Sequence, residues 1–103
     1  MSPEMLIRPL QPRDVMGCER ILRGLPEWFG VEQATAQYVR DLESLPGLVA
    51  IQGGRVLGFL ALRPHNTAAS EIHVLAVHRD HHRSGIGRAL FQRAETGKTS
   101  RAW

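Results

Sequence analysis

One cysteine, one tyrosine and one lysine are all that the 103-residue chain holds of those three types. A secreted domain of this length ordinarily depends on several disulfides, so the expectation is a cytoplasmic protein in which Cys18 is a small buried thiol. Long apolar runs are missing too: the longest, VLGFLAL (56–62), is strand-sized, far below the ~18 residues of a membrane span. The first residues, MSPEMLIRPL, have neither the basic start nor the apolar stretch of a signal peptide. Repeats, low-complexity tracts and any linker between domains are equally lacking. At 43% hydrophobic residues the chain suffices for one small core and is too short for a pair of them, so residues 1–96 read as a single domain and 97–103 as a short tail.

What is present is unevenly distributed. Residues 1–62 carry six arginines against seven acids, whereas residues 63–103 carry seven cations against three acids and hold all five histidines. This basic C-terminal stretch suits an anionic ligand.

The order of elements is legible from periodicity. Residues 5–9 alternate and read as a strand, followed by Asp14 as a helix cap and by Val15, Cys18, Leu22 and Leu25 at helical spacing. GLPEWFG breaks that pattern. A second helix is expected over about 32–44, its apolar stripe formed by Val31, Ala34, Tyr38, Leu42 and Leu45, with Pro46-Gly47 as the stop. Strands LVAIQ and RVLGFLALR follow, joined by Gly53-Gly54, a pair that accepts positive φ and predicts a tight hairpin. PHNTAAS reads as a loop, EIHVLAV as a further strand, and RALFQRAE as a helix stopping near Gly97. The fold class is α/β (α+β), in the order strand, helix, helix, strand, strand, strand, helix, with a mostly antiparallel sheet.

Function is sought where the last strand passes through HRDHHRSGIG into the last helix. A helix N-terminus offers unpaired N–H groups and about half a positive charge, and glycines at 85 and 87 let a bulky anion approach the backbone. Arg83 and Arg88 can add charge-assisted bonds at the rim. Other readings of the glycines fail on spacing. A dinucleotide fingerprint needs a glycine or alanine at position 90, which is Leu90, and a P-loop ending at TGKTS needs a glycine where Gln92 stands.

SEIHVLAVHRDHHRSGIGRALFQRAE (70–95) resembles the acetyl-CoA-binding motif of the GNAT superfamily of N-acetyltransferases. The family pattern is Arg or Gln, two residues, Gly, one residue, Gly or Ala. Here Gly85, Ile86 and Gly87 match, and His82 stands in place of the Arg or Gln. The likeness extends over the hairpin and LPEWFG, from Leu6 to about Glu95. It implies that His82, Arg83 and Ser84, with Gly85 through Arg88, hold the pyrophosphate of coenzyme A. It also implies that the backbone of Leu75, Ala76 and Val77 pairs with the pantetheine arm, as an extended chain can beside a free strand edge. An N–H near Leu75 would polarise the thioester carbonyl.

The implied reaction moves an acetyl group from acetyl-CoA, as co-substrate, to a primary amine of a small molecule or protein. A lysine-like amine at pH 7 must first lose a proton, at about 4.6 kcal/mol, which a base relieves. Glu71 occupies the position of the catalytic glutamate in the histone-acetylating branch. Alternation puts it on one face with His73, Leu75 and Val77, so that His73 could assist. Trp28 and Phe29 fall where the family borders its acceptor site; plain core packing would also account for them.

Two other classes stay in view. His78, His81 and His82 are loop neighbours with no cysteine or spaced carboxylate to complete a metal site, so no metal is expected. A small basic nucleic-acid-binding domain would use the same charge, but Trp28, Phe29, Tyr38 and Phe59 are not interleaved with the basic cluster, so no nucleic-acid partner is expected. The family fold normally continues beyond the helix that starts at Gly85. The expectation is therefore a C-terminally truncated domain that is either a catalytically inactive acyl-CoA-binding module or is completed by a homodimer partner or another chain.

Overall fold

The computed structural model describes residues 4–66 and 69–100. Its elements run β1 (Leu6–Pro9), α1 (Val15–Arg23), α2 (Pro26–Phe29), α3 (Glu32–Leu42), β2 (Gly47–Gln52), β3 (Arg55–Asn66), β4 (Ala69–Val77) and α4 (Ile86–Ser100), with one-turn 3₁₀ segments before α1 and after β4. The four strands form one sheet in sequence order, every pairing antiparallel. The α/β class and the antiparallel sheet are those the sequence predicts, and so is the element order except that the break GLPEWFG holds a further short helix, α2.

Helices cover both faces. Cys18, Ile21 and Leu22 of α1 and Leu42 of α3 pack with Val49, Phe59, Ala61 and Val74 on one face. On the other, Ile86, Leu90 and Ala94 of α4 pack with Leu48, Leu60 and Leu62. Gly58 sets how closely α4 approaches, since a Cβ there would stand 3.0 Å from Ile86 Cγ2 and 3.2 Å from the Ala76 carbonyl oxygen. The β2–β3 turn takes positive φ at Gly53 (59°) and Gly54 (77°), the geometry that glycine supplies without strain. Burial pushes the Cys18 thiol up to about 12, with the Asp14 charge adding to it.

Several expectations are corrected. In PHNTAAS, expected as a loop, the described residues are strand: β3 runs to Asn66 and β4 begins at Ala69, and these two residues pair, while residues 67 and 68 lie outside the described residues. Helix α4 does not stop at Gly97 but continues to Ser100. In α3 the stripe is rotated: Val31 and Ala34 are exposed, and Thr35 is buried, donating to the Phe29 carbonyl at 2.8 Å. Asp14 does flank α1, but its carboxylate does not cap the helix. It accepts two bonds from Arg8 (2.8 and 2.9 Å) and one from the Gln11 amide (2.8 Å), tying the end of β1 to the start of α1.

Candidate functional site

The anion loop assembles from local rules. After β4, the His81 amide bonds the His78 carbonyl, the Asp80 amide bonds His78 Nδ1 and Ser84 Oγ bonds the His81 carbonyl, so the turn is closed on itself. Arg83 (φ 66°) and Gly85 (φ 86°) both sit in the left-handed region and reverse the chain into α4. The first helical bond runs from the Ala89 amide to the Gly85 carbonyl, which leaves the amides of Gly85 to Arg88 without helical acceptors. Arg83 and Arg88 form no ion pair or hydrogen bond among the described residues.

Beside this loop lies the free edge of β4. The His78 amide bonds the Leu57 carbonyl, and antiparallel alternation then turns the backbone groups of Ala76 toward β3 and those of Leu75 and Val77 outward. His82 Nε2 donates to the outward Val77 carbonyl at 2.8 Å. Edge and loop share a cleft of about 480 Å³ whose other wall is Leu25, Trp28 and Phe29. The sequence-derived cofactor residues thus come together: Leu75, Ala76, Val77, His82, Arg83, Gly85, Ile86, Gly87 and Arg88 all line it, and Ser84 instead supports the turn. No acid is among the lining residues.

Glu71 and His73 are arranged differently from expectation. They do not share a face with Leu75 and Val77. A bulge interrupts β4, where Val74 pairs with Ala61 and Ile72 with Leu62, leaving His73 as the extra residue. Glu71, paired with Arg63, and His73 consequently face α3, whereas Leu75 and Val77 face α4. Neither lines the cleft. Glu71 is exposed and meets the His65 ring at 3.0 Å. His73 is engaged on both nitrogens: Nε2 lies 2.8 Å from Asp41 Oδ2 and Nδ1 3.5 Å from Arg63. Because an arginine only donates, Nδ1 accepts and Nε2–H is given to Asp41. Burial works against the Asp41 charge, but hydrogen bonds from Gln37 and His73 outweigh it and hold the carboxyl below its usual range.

Sequence reasoning missed Asp41, Arg63, Tyr38 and Arg79. Tyr38 lies edge-on to both Phe29 and His73, with ring centroids 5.9 and 5.4 Å apart. Arg79 reaches back to the Gly24 carbonyl (3.2 and 3.1 Å) and to Glu27, whose carboxyl the guanidinium holds low. Only the helical spacing of Tyr38 and Asp41 hinted at their shared face, and nothing local marks the partner of Arg79. Among the described residues no group of three His, Cys, Asp or Glu is placed to hold a metal, and no helix is long and apolar enough to cross a membrane.

Comparison with known proteins agrees with this geometry. No curated protein matches the chain. Among solved structures, the fold is similar to that of the PaiA N-acetyltransferase of Thermoplasma acidophilum in complex with coenzyme A (18% identity, TM-score 0.76, 96% of this chain and 74% of that one). It is also similar to a GNAT family acetyltransferase of Brucella melitensis in complex with acetyl-CoA (20%, 0.78, 94% and 70%). An aminoglycoside acetyltransferase from an uncultured soil sample is 28% identical, with a TM-score of 0.63 over 95% of this chain and 74% of that one. The model of the Acetyltransferase (GNAT) family matches residues 17–101, and the chain belongs to that family.

Proposed function

We propose that the protein transfers an acetyl group from acetyl-CoA to a primary amine of a small molecule or protein. The observation that carries this is the pairing of an outward strand edge, at Leu75 and Val77, with a turn whose amides at 85–88 and two arginines all lack partners among the described residues. Unpaired N–H groups and unpaired guanidiniums in one acid-free cleft fit a diphosphate. An open edge next to it fits an amide-bearing arm. On this reading Gly85 to Arg88 bind the diphosphate and Leu75 and Val77 orient the arm. The Leu75 N–H, which points outward, polarises the thioester carbonyl as the amine attacks. The amine's proton passes on the α3 face to Glu71 or to the bulged His73, directly or through water, and the coenzyme A sulfur leaves as the thiolate and is protonated to the free thiol. The same reading keeps the protein in the cytoplasm, where acetyl-CoA is available, with no nucleic-acid partner.

One observation favours a second reading, an acyl-CoA-binding module without turnover: both candidate bases already have partners, Glu71 with His65 and His73 with Asp41 and Arg63. Two measurements separate the readings. Acetyl-CoA at 100 times its Kd is expected to add about 2.7 kcal/mol of stability, roughly 10 °C or more in Tm for a domain of this size. Thiol release in a panel of primary amines then reports transfer, and Glu71→Gln or His73→Gln that binds without release identifies the base. No thermal shift with acetyl-CoA overturns both readings; a shift with no release from any amine selects the module.

A further inference from the structure

Trp28 and Phe29 are neighbours in α2, yet they face opposite ends of the cleft. Phe29 turns toward Tyr38, which in turn meets His73, so it belongs to the face where the proton leaves. Trp28 turns toward the loop: its ring stands edge-on to His82, centroids 6.1 Å apart, and His82 is the residue bonded to the last outward carbonyl of β4. Arg79, from the same loop, holds the turn before α2 through the Gly24 carbonyl and through Glu27, the residue next to Trp28. Trp28 is 66% exposed and shares the lining of the cleft with Leu25 and Val77. An exposed indole held by a two-point tether at the junction of strand edge and anion loop is placed for a ligand that runs from one to the other.

Resting on the acetyl-CoA reading, we propose that Trp28 is a cofactor contact rather than a piece of the acceptor wall, lying against the apolar stretch of the pantetheine arm where it meets the diphosphate. The Glu27–Arg79 tether positions it, and Phe29 alone of the pair borders the acceptor side. Trp28 thereby gives this chain an arm contact beside the site where His82 stands in place of the family's Arg or Gln.

The test is calorimetric titration of the wild type, Trp28→Ala and Trp28→Phe with coenzyme A and, separately, with adenosine 3′,5′-bisphosphate, which lacks the arm. Trp28→Ala is expected to weaken coenzyme A about tenfold, or ~1.4 kcal/mol, with little change for the bisphosphate, while Trp28→Phe retains most of the affinity. In a Trp103→Phe background, coenzyme A should shift Trp28 emission to the blue as the indole is covered. An unchanged coenzyme A affinity in Trp28→Ala, with the wild type binding, overturns the assignment. An equal loss for both ligands overturns the arm as its contact. Failure of the wild type to bind coenzyme A overturns instead the reading on which it rests.

Discussion

At the scale of single residues, the loop pays for its shape at Arg83. A non-glycine residue at φ 66° costs about 1 kcal/mol or more, and no bond among the described residues compensates it. On the acetyl-CoA reading, the Arg83 side chain is kept at this position for the diphosphate. Arg83→Gly is expected to raise stability by about 1 kcal/mol while weakening coenzyme A roughly tenfold, so melting and titration should move in opposite directions. A variant that is stabilised and binds unchanged would make the strain purely architectural. The glycines beside it were readable from sequence because φ > 0 and close approach are properties of the residue type. The orientation of His73 was not, because a bulge depends on how two strands register. Alternation from Glu71 predicted the wrong face for a reason that no local pattern records.

At the scale of elements, α1, the β2–β3 hairpin and the start of α4 were legible because each rests on short-range periodicity or turn chemistry. Helix α3 was legible in extent and misread in face, since Thr35 is buried through a bond to the Phe29 carbonyl that hydropathy does not anticipate. Strand β4 raises the element-scale question of its outer edge. Beyond the cleft, β4 is the last strand of the sheet among the described residues, and Ile72, next to the bulge, is 39% exposed. We propose that a second copy of the chain covers this stretch, because antiparallel pairing of one edge with itself about a two-fold axis satisfies both copies at once. Light scattering at micromolar concentration should give a dimeric mass, and Ile72→Lys should return it to that of a monomer. A monomeric wild type would overturn this.

At the scale of the whole molecule, the tethers between elements share one chemistry. Asp14 joins α1 to β1 through Arg8, Glu32 joins α3 to α1 through Arg23, Glu27 joins α2 to the anion loop through Arg79, and Asp41 joins α3 to β3 and β4 through Arg63 and His73. Each of the four carboxyls is held below its ordinary value. For Asp14, Glu32 and Glu27 the main cause is the hydrogen bond from the partner arginine; for Asp41, bonds from Gln37 and His73 outweigh burial. A carboxyl whose folded pKa is depressed contributes stability that is fully present above its unfolded value of about 4 and is lost as pH falls through the folded value. The protein should accordingly hold its melting temperature from pH 7 to about 5 and lose it steeply below about 4. The contributions should be unequal. Glu27 and Glu32 are exposed and screened by salt, whereas the Asp14 side chain is only 5% exposed and accepts bonds from both Arg8 and the Gln11 amide. Asp14→Asn, which keeps the shape and removes the charge, should cost about 2–4 kcal/mol at pH 7 and flatten the acid limb of the melting curve. Glu32→Gln, at an exposed and salt-screened carboxyl, should leave the melting temperature nearly unchanged and that limb in place. An acid limb unaffected by Asp14→Asn would assign the pH dependence to the surface tethers instead.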